Sequence, residues 1–98
     1  MVKEVVWGKR AFNKFQKIVE YLLKEWSEKV AEEFIDKSEE KIELLKNFPN
    51  IGLKSTKKVG LRKINLSKQN MLVYRIKEDK IIILNIYDTR QDPVKIDF

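Results

Sequence analysis

The feature that most constrains the fold is a change of hydrophobic periodicity near the middle of the chain. From Lys9 to Leu45, apolar residues recur every three or four positions, the spacing of one face of an α-helix. From Leu61 to Tyr87 they form three short runs, which is typical of strands. Residues 48–52 (FPNIG) separate the two parts, because proline cannot extend a helix and glycine permits a turn. The chain therefore predicts an α+β fold.

The helical part is predicted to contain two helices. Ser27 interrupts the apolar stripe and is a suitable N-cap, with Glu28 favourably placed in the positive first turn of the second helix. Because the helices are nearly contiguous, we expect an antiparallel hairpin, with Trp7 and Trp26 buried between the hairpin and the sheet. The stripe comprises Ala11, Phe12, Phe15, Ile18, Val19, Leu22, Leu23 and Trp26, followed by Val30, Ala31, Phe34, Ile35, Ile42 and Leu45.

Three strands are predicted after the helices, over residues 61–66, 71–77 and 81–87. Short polar connections join them, so we expect hairpin loops and an antiparallel meander. A further strand, Val2–Trp7, precedes the helices, and the sequence leaves open whether it pairs with the last run or with the second. Residues 53–60 lie between two glycines and are predicted to be a partly extended loop.

The complete prediction is one domain over residues 1–98 with the element order β-α-α-β-β-β. An antiparallel helical hairpin packs on one face of a twisted antiparallel sheet. The alternation of the middle strand directs Leu72, Tyr74 and Ile76 towards the helices. The opposite face then carries a polar, cationic set of side chains: Lys63, Asn65, Arg75, Asn85 and Tyr87.

Composition excludes several kinds of chemistry. The chain has no cysteine and no histidine, so thiol nucleophiles, cysteine-type zinc sites and a histidine base are absent, and no metal or cofactor is expected. Three glycines, at positions 8, 52 and 60, match no phosphate-loop spacing, and no paired carboxylates are evident. Without a signal-peptide pattern or an apolar run of about 20 residues, we expect a soluble cytoplasmic protein.

The positive charge is concentrated in the second half of the chain. Residues 1–50 contain ten lysines and arginines and ten acids, whereas residues 51–98 contain eleven and five, which gives the whole net charge of +6. Five of these cations fall within ten residues: Lys54, Lys57, Lys58, Arg62 and Lys63. Such a surface attracts a polyanion or an acidic protein, or it is simply solvated. Lysine, arginine and tyrosine together can also orient a phosphodiester and stabilise its developing charge.

An ordered set of short motifs spans nearly the whole chain. They are Ile18-x-x-Tyr21-x-x-x-x-Trp26-Ser27, Ala31-x-x-Phe34, Ile42-x-x-Leu45-x-x-x-Pro49-x-x-Gly52, Leu61-Arg62, Leu72-Val73-Tyr74-Arg75-Ile76, Ile81-x-Ile83-Leu84-x-Ile86 and Arg90-Gln91-Asp92-Pro93. In this order they resemble the RelE/ParE superfamily of bacterial toxins from type II toxin–antitoxin systems. The fold that the resemblance implies, a helical hairpin on an antiparallel sheet, agrees with the one predicted from periodicity.

The resemblance to RelE-like members implies ribosome-dependent cleavage of mRNA by lysines, arginines and a C-terminal tyrosine. Lys63 and Arg90 match two of these positions, whereas Asn65 and Met71 stand where a lysine and an arginine would be. The position of the tyrosine falls near Ile96, unless Tyr87 substitutes for it. Lys63, Arg90 and Tyr87 are therefore the catalytic candidates of a degenerate site. A neutral amide and a thioether do not offset phosphate charge, which weakens the nuclease interpretation.

The resemblance to ParE-like members is closer, through Tyr-x-x-x-x-Trp-Ser, Pro-x-x-Gly, Leu-Arg and Arg-Gln-Asp-Pro. It implies a protein that poisons DNA gyrase by binding rather than by catalysis. It also implies a cognate antitoxin with an often acidic tail, and contact with operator DNA only through that antitoxin. A toxin-fold protein that is inactive remains a third alternative. The residues predicted to bind the target or the antitoxin are Arg62, Lys63, Asn65, Arg75, Tyr87 and Arg90.

Two of these arginines also have structural explanations. Arg62 could pair with an acid of a helix, and Arg90 could form a local ion pair or turn with Asp92 before Pro93. Lys63 and Arg75 have the strongest claim to a binding role, since both are predicted to lie on the solvent-facing side of the sheet.

Overall fold

A computed structural model describes residues 4–90 of the chain and shows two helices on a five-stranded sheet. The elements in chain order are β1 (Glu4–Trp7), α1 (Lys9–Glu25), α2 (Glu28–Asn47), β2 (Leu53–Lys54), β3 (Leu61–Asn65), β4 (Asn70–Lys77) and β5 (Lys80–Asp88). The order across the sheet is β1-β5-β4-β3-β2. This confirms the predicted α+β architecture and the meander of its last three strands.

One strand pairing departs from the predicted antiparallel sheet. Strand β1 pairs with β5 in parallel, from Glu4 opposite Lys80 to Trp7 opposite Ile83, so the sheet is mixed. A parallel pair needs a long connection, and the two helices with the rest of the sheet supply it. At the other edge, Leu53 and Lys54 form a short strand antiparallel to β3, within the segment predicted as a partly extended loop.

The helical hairpin has the predicted N-cap. The Ser27 hydroxyl accepts a hydrogen bond from the Val30 N–H at 3.1 Å, which satisfies an amide at the start of α2. The prediction that Trp26 lies in the core is wrong, because its side chain is 68% exposed. Trp26 caps the end of α1 with φ −122° and ψ −99°, outside helical geometry. The helix ends at Glu25, so the helical periodicity that would direct the Trp26 side chain towards the sheet does not extend to this residue.

Aromatic rings join the edge strand to both helices. The Trp7 ring lies 5.1 Å from that of Phe15 on α1, and Phe15 lies 5.4 Å from Phe34 on α2. Trp7 thus packs between hairpin and sheet, as predicted. The side chains buried in this core are Ala11, Phe34, Leu45, Leu66, Leu72, Tyr74, Ile81, Ile83 and Ile86.

A β-bulge in β5 decides which of its residues face away from the helices. Val73 lies opposite Asn85, whereas the next residue, Tyr74, lies opposite Ile83, so Leu84 is an extra residue in β5. Strict alternation from Ile83 would put Asn85 on the helix side. The bulge reverses the alternation and turns Asn85 to the other face.

Candidate functional site

The sheet face opposite the helices, called the outer face here, brings together four predicted site residues. The register places Lys63, Val73 and Asn85 in one row across the strands. The next row contains Asn65, Met71 and Tyr87, and Arg75 lies between Leu61 and Ile82 in the row on the other side. The predicted location of Lys63, Asn65, Arg75 and Tyr87 on one face agrees with this register.

The centre of the outer face differs from the prediction of a polar, cationic surface. Met71 and Val73 are 6% and 4% exposed, and Asn85 is 6% exposed. Strand β4 is a middle strand, so apolar residues occupy much of both its faces, and the cations lie around an apolar centre. Asn65 and Met71 stand where the resemblance to RelE-like members expects a lysine and an arginine. Asn65 is exposed and Met71 is buried.

Tyr87 is contacted by the helical hairpin, which the sequence did not predict. The Lys14 ammonium nitrogen of α1 lies 4.8 Å from the centroid of the Tyr87 ring, in a cation–π contact. Burial lowers the pKa of Lys14, and the charges of Arg10 and Lys17 lower it further. One face of the Tyr87 ring is thus occupied by α1, and no local pattern in the sequence marks this long-range contact.

Arg62 lies on the helix side of the sheet, opposite Tyr74 in the strand register. Its Nη1 donates to the carbonyl oxygens of Asn50 at 3.0 Å and Gly52 at 2.8 Å. The Tyr74 hydroxyl accepts from the Gly52 N–H at 3.0 Å and donates to the Pro49 carbonyl at 2.8 Å. Arg62 therefore holds main-chain carbonyls of the segment before β2. We call Pro49–Gly52 with Arg62 and Tyr74 the β2 corner.

Space in the β2 corner excludes any side chain at residue 52. A Cβ atom on Gly52 would lie 2.6 Å from the Tyr74 hydroxyl oxygen and 2.8 Å from the Lys63 carbonyl oxygen. Burial of the Tyr74 phenol raises its pKa, although the Gly52 amide and the charge of Arg62 act in the opposite direction. The Pro-x-x-Gly motif of the sequence is thus explained by this packing.

Arg90 lies beyond the end of β5, where it closes on Asp88. Its Nε and Nη2 donate to the two carboxylate oxygens of Asp88 at 3.0 and 2.7 Å, and its N–H donates to the same side chain at 2.8 Å. These bonds lower the pKa of Asp88 to about 2. A local ion pair was predicted for Arg90 with Asp92, which lies outside the described residues. We call Asp88–Arg90 the β5 end.

A groove of about 510 Å³ separates the helical hairpin from the β5 end, and we call it the hairpin groove. Its apolar floor and its rim come from both helices, from residues 67–70 and from the β5 end. The described lining residues are Lys17, Ile18, Tyr21, Leu22, Val30, Glu33, Phe34, Lys37, Ser67, Lys68, Gln69, Asn70, Asp88 and Arg90. Of the predicted site residues, Arg90 alone is among them. The apolar stripe gave no warning of this groove, because such a stripe normally marks the core; Tyr21, outside the stripe, is exposed at the groove.

Within residues 4–90, the structure contains no group of three or more acidic, histidine or cysteine side chains that could hold a metal ion. Over the same residues, no helix is long and apolar enough to cross a membrane. Lys63 and Tyr87 lie in neighbouring rows of the outer face, whereas Arg90 lines the hairpin groove. Their catalytic role therefore stays a prediction.

Solved structures of bacterial toxins share this fold. A chain of the chromosomal ParDE toxin–antitoxin system from P. aeruginosa aligns with a TM-score of 0.73 at 20% identity, over 90% of this chain and 96% of that one. The YoeB/ParE toxin from Agrobacterium tumefaciens gives 0.64 at 14% identity, over 88% and 98%. The YoeB dimer from Staphylococcus aureus gives 0.63 at 15%, over 89% and 97%. At these identities the likeness concerns the fold.

Sequence comparison identifies the family more narrowly than fold comparison does. A search of curated proteins finds no significant match. The profile of the ParE toxin of type II toxin–antitoxin systems (parDE) matches residues 5–93, which include both helices and every strand described above except the first residue of β1. The chain therefore belongs to the ParE toxin family of type II toxin–antitoxin systems, within the RelE/ParE superfamily.

Proposed function

We propose that the protein is a toxin that inhibits DNA gyrase by binding it, and that a cognate antitoxin neutralises it. The proposal rests on membership of the ParE family and on the resemblance of the sequence to its ParE-like branch. The observation that favours this proposal over a nuclease is the identity and burial of Met71. This residue stands where the nuclease resemblance expects an arginine, and its uncharged side chain is 6% exposed.

The hairpin groove is the site that we assign to the antitoxin. Among residues 4–90, the groove is lined by four cations and by two acids, Glu33 and Asp88. Because Asp88 pairs with Arg90, the described lining then has three lysines, Lys17, Lys37 and Lys68, and one further acid, Glu33. An apolar floor below a basic rim fits an amphipathic segment with acidic flanks, in which apolar anchors supply affinity and charges set the register.

Expression of the chain without its antitoxin tests the target. We expect arrested growth, double-strand breaks in chromosomal DNA and intact mRNA, since a trapped gyrase complex leaves cleaved DNA. Ribosome-dependent cuts in mRNA together with intact DNA would instead support the degenerate RelE-like nuclease. Normal growth with a soluble, folded chain would support an inactive toxin-fold protein.

Reversal of rim charges tests the antitoxin site. The double variant Lys17→Glu/Lys37→Glu should weaken binding of the cognate antitoxin by about ten-fold or more, measured by calorimetry. The matched variant Lys24→Glu/Lys29→Glu makes the same change of charge on exposed parts of the same helices, away from the groove. Equal weakening by the two variants would show that net charge, and not this groove, governs binding.

A further inference from the structure

A second cavity, of about 370 Å³, opens on the outer face beside the bulge of β5. The start of α1, the loop between β2 and β3, and strands β3 to β5 meet there. Its described lining consists of Gly8, Lys9, Arg10, Lys58, Leu61, Val73, Leu84, Asn85 and Tyr87. We call it the bulge cavity. It shares no described residue with the hairpin groove.

The N-terminus of α1 supplies unpaired donors at this cavity. The Gly8 N–H donates to the Ile83 carbonyl at 2.8 Å, and the Phe12 N–H donates to the Gly8 carbonyl at 2.9 Å. The N–H groups of the three residues between them therefore have no acceptor within the helix. Gly8 provides no side-chain cap, and the first turn contains no acid but two cations, Lys9 and Arg10. The positive end of the helix dipole is thus not neutralised by its own first turn.

Asn85 supplies a second and independent indication of a ligand. Its side chain is 6% exposed, and its Oδ1 accepts a hydrogen bond from the Ile86 N–H at 2.9 Å. Among residues 4–90, its amide nitrogen has no hydrogen-bond partner. Among the described residues, every fully buried side-chain nitrogen or oxygen has a hydrogen-bond partner. The unpaired Asn85 nitrogen is therefore not fully buried, and we infer that it is accessible from the cavity that Asn85 lines. A nearly buried donor without an acceptor carries a desolvation cost that a bound anion would remove.

The other lining groups agree with an anionic ligand that has an apolar portion. The described lining contains Lys9, Arg10 and Lys58 and no carboxylate. Leu61, Val73 and Leu84 form an apolar wall beside them. The volume of about 370 Å³ lies within the usual range of small-ligand pockets, roughly 300–1,000 Å³.

From these observations we infer that the bulge cavity binds the phosphate group of a nucleotide. The phosphate oxygens accept from the N-terminal amides of α1 and from the Asn85 amide, while Lys9 and Arg10 balance the charge. The apolar wall packs against the nucleoside. The phosphate belongs either to a free nucleotide or to the 5′ end of a strand, and the inference does not depend on gyrase or on the antitoxin.

Amide NMR titrations of the full-length chain test this inference. The probes are inorganic phosphate, adenosine 5′-monophosphate, adenosine, and one short oligonucleotide with a 5′-phosphate or a 5′-hydroxyl end. We expect the phosphate-bearing probes to shift the backbone amides of Lys9–Ala11 and the side-chain amide of Asn85, and adenosine to leave them unchanged. Tighter binding of the 5′-phosphorylated oligonucleotide than of both the monophosphate and the 5′-hydroxyl oligonucleotide assigns the site to strand ends. The reverse order assigns it to free nucleotides.

Asn85→Asp is the most informative variant, because its carboxylate keeps the acceptor for the Ile86 N–H but removes the donor and adds a negative charge. It should weaken binding of the monophosphate about ten-fold or more. Asn13→Asp, an exposed site on α1 outside the cavity, provides the same change of charge and should have little effect. If Asn85→Asp does not fold, Arg10→Glu replaces it, with Lys24→Glu as its control.

Three results would overturn the inference. One is the absence of saturable shifts at Lys9–Ala11 with any phosphate-bearing probe. Another is equal weakening by Asn85→Asp and Asn13→Asp, which would indicate general attraction to a basic protein. The third is tighter binding of a short acidic peptide than of every phosphate-bearing probe in the same cavity.

Discussion

Arg62 and Arg90 are both binding candidates in the sequence, yet the β2 corner and the β5 end hold them in opposite ways. Arg62 joins β3 to carbonyl oxygens that lie ten and twelve residues earlier, beside the buried Tyr74. Arg90 is exposed and pairs with Asp88 two residues away. Partly buried hydrogen bonds to a charged group stabilise a fold measurably, whereas an exposed local ion pair contributes little. Arg62 therefore has a structural role in the β2 corner, and we expect Arg90 to be the more accessible of the two to a partner.

Substitution of Gly52 by alanine should have the largest effect on stability. The added Cβ would clash with the Tyr74 hydroxyl and with the backbone of β3, so we expect a loss of about 3 kcal/mol in the free energy of unfolding. Urea denaturation measures it. Gly60→Ala is the control, because residue 60 has φ +83° but no atom within 4 Å of an added Cβ, so it reports the backbone cost alone. A loss at Gly52 no greater than that at Gly60 would contradict the packing argument.

Tyr74→Phe should cost about 2 kcal/mol, because it leaves the Gly52 N–H and the Pro49 carbonyl without their partner. Tyr21→Phe, at an exposed phenol, should change stability by less than about 0.5 kcal/mol. Urea denaturation of the two variants beside the unsubstituted chain measures both effects. Equal losses would show that the buried hydroxyl contributes no more than an exposed one.

The alkaline limb of the stability curve gives a second check on Tyr74. Its folded pKa is raised above 10.0, so the stability that it contributes is complete below pH 10 and is lost as the pH rises through the folded pKa. Tyr74→Phe should therefore remove part of the alkaline loss of stability. An unchanged alkaline limb in this variant would show that the phenol is not held in its neutral form.

Arg62→Lys should cost about 1 kcal/mol, since an ammonium group does not reproduce the geometry by which one guanidinium nitrogen reaches two carbonyl oxygens. Arg75→Lys, on the exposed part of the outer face, should be neutral within about 0.5 kcal/mol. Chemical denaturation measures the free energy of unfolding of both variants, and the difference between them tests the role of Arg62. If both were neutral, the β2 corner would not depend on Arg62.

The Asp88–Arg90 pair of the β5 end should have the smallest effect on stability, and this effect should depend on pH only in acid. The pKa of Asp88 is lowered to about 2 from an ordinary value of 3.8, so its contribution to stability is present above pH 4 and is lost as the pH falls towards 2. Arg90→Gln should return the Asp88 carboxyl pKa towards its ordinary value, as measured by carbon-detected NMR titration. A pKa that stays near 2 in this variant would assign the shift to a group other than the Arg90 side chain, such as the N–H of residue 90, which the variant keeps.

Sequence predicted the elements whose causes are local. The N-cap at Ser27, the break at Pro49 and the spacing of the apolar stripe depend on neighbouring residues, so the hairpin and the meander followed from them. The parallel pairing of β1, the bulge at Leu84 and the approach of Lys14 to Tyr87 depend on contacts between distant segments. The prediction for Trp26 was wrong because the end of a helix overrides the periodicity before it.

The candidate sites divide in the same way. Lys63, Asn65 and Arg75 lie on the outer face through alternation along their strands, which is a local property, whereas Tyr87 reaches this face only because of the bulge at Leu84. The hairpin groove and the bulge cavity each form where four separate segments meet, so no single stretch of sequence contains them. The Leu-Arg motif predicted a binding residue at Arg62, although its side chain holds the β2 corner.

A supercoiling assay with purified DNA gyrase tests the central proposal most directly. The protein alone, added to gyrase, relaxed plasmid and ATP, should block supercoiling and leave linear plasmid after treatment with detergent and protease. Addition of the cognate antitoxin should restore supercoiling. Unchanged supercoiling at saturating protein, together with cleavage of mRNA on purified ribosomes, would contradict the gyrase proposal and establish the nuclease in its place.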